Sequence, residues 1–236
     1  MPALLILLAI LFRSACASPS AHVVTAYGNA QIDTAQSKFG GSSGLFDGNG
    51  DYLSLADSDD WGFGSGDFTI DFWVRFNVLP GAGSGVVLYD QYVDGTHWDT
   101  LYIWNTAGVY SLKLSYNNGA GEQTMVSGTV ALAVDTWYHI AAVRSGNSWY
   151  IFLGGTQVGS TGSHTDTWPD LAASLTITAR TGGGYALNGW LDEFRVSKGV
   201  ARWTSSFTPP TSAHVADLST VLLLHMNGTD GSTTFT

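Results

Sequence analysis

The sequence contains little charge, and positive charge is the scarcer kind. Charged residues make up 12% of the 236 positions, and 9 basic residues against 19 acidic ones give a net charge of −10. A field of this sign repels phosphate backbones and anionic lipid surfaces. We therefore expect no nucleic acid partner. We also expect no membrane insertion, because no stretch beyond the N-terminus is apolar and long enough to span a bilayer.

Cysteine is almost absent, with Cys16 as the only one. It follows an apolar run, Ala3 to Phe12, that is too short to span a bilayer and leads into small residues at 15–17. This pattern predicts a signal peptide over residues 1–17, although no basic residue precedes the run. We expect a secreted, extracellular protein whose mature domain, residues 18–236, has no disulfide and depends on its core.

Catalytic motifs are missing as well. A glycoside hydrolase needs two carboxyls that face one cleft, and neither Glu122 nor Glu193 has a second glutamate within reach along its strand. The sequence contains no nucleophile elbow, zinc-protease motif, phosphate loop or dinucleotide fingerprint. The protein is therefore predicted not to be an enzyme, and a divergent glycan-cleaving enzyme ranks third among the functions considered.

Helical periodicity is also nearly absent, and a two-residue alternation takes its place. In Phe68 to Phe76, the apolar residues at even positions alternate with Thr69, Asp71, Trp73 and Arg75, which predicts a half-buried strand. Similar short strands recur between Gly and Asn turns, and Ser145 to Ser148 is typical of a hairpin turn. The sequence predicts an all-β fold, a two-sheet antiparallel jelly-roll sandwich in a single domain.

Three motifs in order carry a family resemblance. They are LFDGNGDYLSLADSDDWGFGSGDFTIDFWVRF, WYHIAAVRSGNSWYIFLGG and LNGWLDEFRVSKGVARWTSSFTPP. Together they resemble the laminin-G-like, concanavalin A-like jelly-roll modules of secreted bacterial and phage proteins, over about Lys38 to Pro210. The resemblance implies the fold strongly and the function weakly, because such modules bind sugars, bind proteins or space other domains. It also implies a structural role for Lys198 to Pro210, with Trp203 and Phe207 covering the end of the sandwich.

The order of the terminal segments departs from that family. A segment similar to Thr220 to Thr236 usually begins these modules, followed by one similar to Ser18 to Gly40. The usual first strand is thus displaced to residues 220–236. Three explanations remain open: the strand closes its own sandwich, the chain is cut from a tandem array, or the strand is shared with another copy, giving self-association. Self-closure is favoured, since an unpaired apolar edge promotes aggregation.

Calcium is the most plausible metal, and Asp192 is its first candidate ligand. Alternation places Asp192 on the core face with Phe194 and Val196, and places Glu193 and Arg195 outside. An inward carboxylate must be hydrogen-bonded, paired or metal-bound. Related modules often hold a structural calcium with such an aspartate, and backbone hydrogen bonding is the equal alternative.

A second acidic candidate lies in FDGNGDY, where Asp47, Asn49 and Asp51 stand at every other position. This spacing opens a calcium loop of the EF-hand type but lacks its later Gly and Glu. A hairpin turn rich in Asp, Asn and Gly is the favoured interpretation, and calcium is the alternative.

A sugar site requires exposed aromatic rings beside hydrogen-bonding side chains on loops. The richest candidate loop runs from Tyr89 to Thr100. The predicted ligand-binding residues are Tyr92, His97, Trp98, Asp90 and Asp99, with Trp168 and Tyr185 as companions from two other loops.

The sequence therefore predicts a secreted, non-catalytic binding module for extracellular glycans or a surface protein, with loops ordered by calcium. The alternative is a structural or adhesive repeat unit that self-associates through its terminal strand.

Overall fold

The computed structural model describes residues 22–236, so the predicted signal peptide and Cys16 lie outside the described residues. Residues 22–236 form sixteen β-strands and no helix. In chain order the strands are β1 (Val24–Tyr27), β2 (Gln31–Asp33), β3 (Ser43–Asp47), β4 (Tyr52–Leu55), β5 (Phe68–Val78), β6 (Ser84–Asp94), β7 (His97–Thr106), β8 (Val109–Asn118), β9 (Glu122–Val130), β10 (Trp137–Ser145), β11 (Ser148–Leu153), β12 (Thr156–Gln157), β13 (Gly162–Ser163), β14 (Leu175–Ile177), β15 (Asn188–Lys198) and β16 (Thr220–Leu224). Within this part of the chain, no helix has the length and apolar character needed to cross a membrane.

The strands form two antiparallel sheets packed as a sandwich. One sheet has seven strands in the order β1-β4-β14-β6-β7-β8-β9. The other has nine, in the order β12-β11-β10-β5-β15-β3-β2, with β13 beside β11 and β16 beside β15. Fully buried side chains such as Phe72 and Phe194 of one sheet and Leu101 and Leu112 of the other fill the space between them. The predicted all-β jelly-roll sandwich is confirmed.

Strand β5 is buried on both faces, which corrects the prediction that it is half-buried. Its even-numbered apolar residues face the core as predicted, but Thr69 and Asp71 on the other face are also fully buried. The reason is the covering segment, residues 200–217, which crosses the outer face of the nine-stranded sheet. Trp203 and Phe207 of this segment pack on that face instead of covering the end of the sandwich. Alternation could not reveal a cover that comes from far along the chain.

Strand β15 contains a bulge that changes which residues face the core. Leu191 and Phe194 both belong to the core, and the pairing with β5 is irregular between Asp192 and Arg195. Glu193 adopts a positive φ of 55° at this point. The prediction that Asp192 faces the core is therefore wrong, because the extra residue moves it to the outer face, opposite Trp73. Glu193 and Arg195 lie outside the core as predicted, where Glu193 accepts the amide hydrogen of His214 and Arg195 donates to Asp71, but both are buried there.

The C-terminal segment lies against strands of its own chain. β16 pairs with the second half of β15, next to β3, which pairs with the first half. Beyond β16, the amide of Ile32 donates a hydrogen bond of 2.7 Å to the carbonyl of Ser232, and Phe235 is buried in the core. The sequence leaves three arrangements open for this segment. The structure has the arrangement in which the segment closes the sandwich of its own chain.

Candidate functional site

The predicted ligand-binding loop is a strand hairpin. Residues 89–94 belong to β6 and residues 97–100 belong to β7, so only a two-residue turn separates them. This turn places Tyr92 opposite Trp98 at the end of the hairpin. Asp90 and Asp99 lie further inside the sheet, and both are completely buried. The structure therefore divides the predicted residues between a surface group and an internal group.

The surface group forms an aromatic cleft on the outer face of the seven-stranded sheet. The cleft has a volume of about 370 Å³. Its floor follows the alternation of β7, because Trp98, Thr100, Tyr102 and Trp104 point outward while the residues between them face the core. Trp98, Tyr102, Trp104, Arg180 and Tyr185 define this cleft. Two of these residues, Trp98 and Tyr185, were predicted from the sequence.

Arg180, which was not predicted, lies among these aromatic rings. Its guanidinium carbon is 4.5 Å from the ring centre of Tyr92, 5.5 Å from that of Trp98 and 6.0 Å from that of Tyr185. Its Nε and Nη2 atoms each donate a hydrogen bond of 3.3 Å to the carboxylate of Asp90. Asp90 thus holds Arg180 in place instead of contacting a ligand itself.

The pKa of Asp90 reflects both its own burial and the partial exposure of its partner Arg180. Burial raises the pKa of Asp90, while the positive charge and hydrogen bonds of Arg180 lower it, and the result is a pKa of about 6. The partial compensation fits the long contacts, because the Arg180 side chain is 23% exposed and shares its charge with water. The pair is looser than a fully buried ion pair.

The rim of the cleft contains two further charged residues, and both lie next to Tyr102. The hydroxyl of Tyr102 donates a hydrogen bond of 2.7 Å to Oε1 of Glu122, and Nζ of Lys113 lies 5.7 Å from the ring centre of Tyr102. Together with the buried Asp90, the cleft thus contains two positive and two negative side chains. The cleft offers hydrogen-bonding groups without a strong field of either sign.

Tyr185 is held in an unusual backbone conformation at the edge of the cleft. Its φ is +57°, a region that non-glycine residues seldom adopt, and it follows Gly182 and Gly183, which also have positive φ. Its carbonyl accepts a hydrogen bond of 3.0 Å from the amide of Val87. The ring is 5.8 Å from that of Trp104, and 44% of the residue is exposed. The turn therefore presents a large aromatic surface to solvent.

Two predicted ligand-binding residues belong to the interior. Trp168 is fully buried and packs against Phe68 and Trp149, so it cannot contact an external ligand. Asp99 faces the core, and neither of its carboxylate oxygens has a hydrogen-bond partner among residues 22–236. Burial, and then repulsion from Asp90, raise the pKa of Asp99 well above its ordinary value. The predicted roles of Asp90, Asp99 and Trp168 are corrected, because strand register and core packing remove them from the surface.

His97 lies at the tip of the hairpin, away from the aromatic cleft. Its Nδ1 is 3.3 Å from Oδ1 of Asp94, and both side chains are about half exposed. The structure places His97 near Trp98 in sequence but outside the lining of the cleft.

The acidic turn at residues 47–51 is built on hydrogen bonds. Asp51 accepts backbone amide hydrogens from Asn29 at 2.6 Å and from Asp47 at 2.7 Å, one on each oxygen. Asp47 accepts the amide hydrogen of Asn49 at 2.7 Å. A calcium ion requires free oxygen atoms that converge on one point. These residues fit the hydrogen-bonded turn better than a calcium cage, and calcium binding by Asp47, Asn49 and Asp51 stays a prediction.

Asp192 also uses its carboxylate for backbone hydrogen bonds. Its Oδ2 accepts the amide hydrogens of Lys38 at 2.8 Å and Phe39 at 3.0 Å, while Oδ1 has no partner among the described residues. Burial raises the pKa of Asp192 to about 7 in spite of these bonds. This geometry matches the hydrogen-bonding alternative, and calcium at Asp192 stays a prediction.

A third polar cluster lies on the outer face of the nine-stranded sheet. Arg195 donates two hydrogen bonds of 2.9 Å to Asp71, one to each oxygen, and Nε2 atoms of His139 and His214 lie 3.2 and 3.0 Å from Asp71 Oδ2. Asp71, His139 and His214 form the one group among residues 22–236 that is spaced for a metal ion. Because the guanidinium already occupies both oxygens of Asp71, the group fits a buried ion-pair network better than a metal centre. His139 is fully buried on β10, where its ring packs against Trp73 and Trp203.

Comparison with solved structures gives the same sandwich at low identity. Domain 4 of the extracellular arabinanase AbnA from Geobacillus stearothermophilus, in complex with arabinotriose, is 14% identical with a TM-score of 0.57, over 76% of this chain and 83% of that one. A putative carbohydrate binding protein from Bacteroides ovatus is 13% identical with a TM-score of 0.55, over 88% and 52%. Full-length tailspike protein 2 of an Escherichia coli O157:H7 bacteriophage is 13% identical with a TM-score of 0.58, over 87% and 30%. The chain thus spans about half of the second protein and under a third of the third.

No curated protein sequence matches the chain. The laminin G family described as the concanavalin A-like lectin/glucanases superfamily matches residues 47–204, which is more than half of the chain. The match contains the second motif, most of the first and third, and all the residues that line the aromatic cleft. The chain therefore belongs to the laminin G-like family of concanavalin A-like domains.

Proposed function

We propose that this domain is a secreted, non-catalytic module that binds an extracellular glycan in the aromatic cleft. The observation that carries the proposal is the cleft itself, which is lined by four aromatic side chains and by a guanidinium that retains partial exposure. Flat rings beside a few fixed polar groups suit a sugar, which has apolar faces and hydroxyls around its edge.

The polar groups of the cleft match hydroxyl groups. Arg180 and Lys113 are donors, and the carboxylate of Glu122 is an acceptor. All three are anchored by an aromatic ring or by a hydrogen bond, so little side-chain entropy is lost when a ligand binds.

The absence of catalysis is part of the proposal. Hydrolysis of a glycosidic bond requires two carboxyl groups that flank it. Among the described residues that line the cleft, only Glu122 has a carboxylate, and Asp90 lies buried beneath Arg180. The arrangement supports binding without cleavage.

Two of the similar structures add support for a glycan. One contains arabinotriose, and the other is described as a putative carbohydrate binding protein. Their identities to this chain are below 15%, so they support the type of ligand and not its identity.

Tryptophan fluorescence tests the proposal, because Trp98 and Trp104 line the cleft. We expect neutral oligosaccharides selected on a glycan array to change the emission and to saturate the change. The variant Tyr185→Ala should weaken binding about tenfold, or about 1.4 kcal/mol. Tyr27→Ala is the matched control, since Tyr27 is equally exposed but lies on β1, away from the cleft. Release of reducing sugar, or equal effects of the two variants, would contradict the proposal.

The alternative function is a repeat unit that self-associates through residues 220–236. One edge of β16 is already paired with β15 of the same chain, so this segment lacks the freedom that strand exchange requires. Self-association stays a prediction that the mass in solution tests directly. A stable oligomer that dissociates when residues 220–236 are removed would favour it over the glycan-binding module.

A further inference from the structure

We propose that the aromatic cleft is one half of a continuous groove that binds an internal stretch of a neutral polysaccharide, with Tyr185 at its midpoint. This inference rests on the proposed function and specifies the ligand of the same site. Its basis is a second cavity that adjoins the aromatic cleft.

The second cavity has a volume of about 580 Å³ and lies between the β5–β6 connection and the loop before β15. Gly85, Val86 and Tyr185 line both this cavity and the aromatic cleft. Each cavity alone has the size that holds a small ligand, roughly 300–1,000 Å³. Because they share a wall, a ligand longer than either can occupy both.

The groove reaches solvent at both ends. At the end formed by the aromatic cleft, Glu122 is exposed. At the other end, Val78 is 53% exposed and Gly81 is exposed. A polymer can therefore enter at one end and leave at the other, whereas a site for a chain terminus would be closed at one side. The geometry favours an internal segment over a terminal sugar.

Tyr185 connects the two halves. Its positive φ directs the ring to the shared wall, and the hydrogen bond from Val87 to its carbonyl fixes the turn. A strained non-glycine conformation is maintained when the surrounding structure determines it, and such residues cluster at binding sites. We infer that Tyr185 provides the stacking surface over which the chain passes from one cavity to the other.

The charges of the groove favour a neutral polymer. The residues that line the second cavity include no charged side chain among those described, and Ser84 and Asn188 supply its polar side chains. In the aromatic cleft, Arg180 is paired with Asp90, and Glu122 and Lys113 add one charge of each sign. The net charge of −10 also disfavours an anionic chain.

Chain length provides the test. We would measure the affinity of residues 18–236 for arabinan, xylan and β-glucan oligomers of two to eight units by calorimetry. A groove across both cavities predicts that affinity rises about tenfold between the trimer and the hexamer of the ligand that binds. Oligomers that fit the aromatic cleft alone would bind at the lower level.

A variant in the second cavity sharpens the test. Gly81→Leu should reduce hexamer affinity to the trimer level and leave trimer affinity unchanged, because Gly81 has open space around it and no positive φ. Gly95→Leu is the matched control, with the same open space but a position at the β6–β7 turn. Equal trimer and hexamer affinities, or a hexamer affinity unaffected by Gly81→Leu, would overturn this inference alone. Failure of every oligomer to bind would overturn the proposed function together with it.

Discussion

The outer faces of the two sheets contain similar chemistry in opposite surroundings. Each has an aspartate paired with an arginine: Asp71 with Arg195 on the nine-stranded sheet, and Asp90 with Arg180 on the seven-stranded sheet. The first pair lies beneath the covering segment, and the second lies beneath the aromatic cleft. The comparison shows how cover by a distant segment separates a buried ion pair from one that leaves its cation partly exposed.

The two pairs differ in distance and in exposure. Arg195 approaches Asp71 to 2.9 Å with 7% of its side chain exposed, whereas Arg180 approaches Asp90 to 3.3 Å with 23% exposed. Burial raises the pKa of Asp71, but hydrogen bonds from His139 and His214 and the charge of Arg195 lower it by a larger amount. The net result is a pKa well below the ordinary value. The pKa of Asp90 is raised to about 6. The partners of Asp71 thus outweigh the effect of burial on its pKa, whereas Arg180 offsets only part of that effect on Asp90.

Replacing each aspartate by asparagine gives the largest expected difference. Asp71→Asn should lower the free energy of unfolding by about 3–5 kcal/mol, because it leaves the buried guanidinium of Arg195 without a counter-charge. Asp90→Asn should cost much less, since Arg180 retains contact with water. Urea unfolding at pH 7.5 measures both. Equal losses of stability would show that the covering segment does not distinguish the pairs.

The sequence predicts the sandwich well because its evidence is local. Alternation within β5 and the polar turn between β10 and β11 depend on neighbouring residues, and both predictions are confirmed by the strands and their pairing. The covering segment is not predictable in this way, because His214 reaches Asp71 from far along the chain. The bulge at Glu193 also defeats alternation, since one extra residue reverses the faces from that point.

The aromatic cleft was predictable only in part. Trp98, Tyr102 and Trp104 stand at even positions of one strand, so their common face is visible in the sequence. Arg180 is not, because its partner Asp90 is 90 residues away and only the pairing of β14 with β6 brings them together. Loop composition identified Tyr185. It could not identify Arg180, because that residue reaches Asp90 only through this pairing.

His139 on one face and Asp90 on the other should respond to acid with opposite sign. Burial lowers the pKa of His139, so the unfolded chain binds its proton first, and the stability that neutral His139 provides is lost as the pH falls below about 6.5. Asp90 has the reverse behaviour: the folded state binds a proton near pH 6, and stability increases as the pH falls from there toward 3.8. Between pH values above 6 and below 3.8, protonation of Asp90 should add about 3 kcal/mol to the free energy of unfolding.

Unfolding free energies at pH 7.5, 6.0 and 4.5 separate the two contributions. Relative to the unsubstituted protein, Asp90→Asn should be more destabilising at pH 4.5 than at pH 7.5, and His139→Gln should be less destabilising at pH 4.5 than at pH 7.5. A pH profile that neither substitution changes would mean that other groups determine the response to acid.

The smallest expected effect concerns the cations themselves. Arg180→Met should reduce glycan affinity about tenfold, or about 1.4 kcal/mol, because it removes the hydrogen-bond donor that Asp90 positions in the cleft. Its effect on unfolding should stay within about 1 kcal/mol, since the pair is partly solvated and Asp90 can bind a proton. Arg75→Met is the matched control: Arg75 lies 4.8 Å from the ring of Trp190 on the other sheet, an equivalent stacked cation outside the cleft. If Arg75→Met weakened glycan binding as much as Arg180→Met, the ligand would not be recognised by the aromatic cleft, and the functional contrast between the two faces would be wrong.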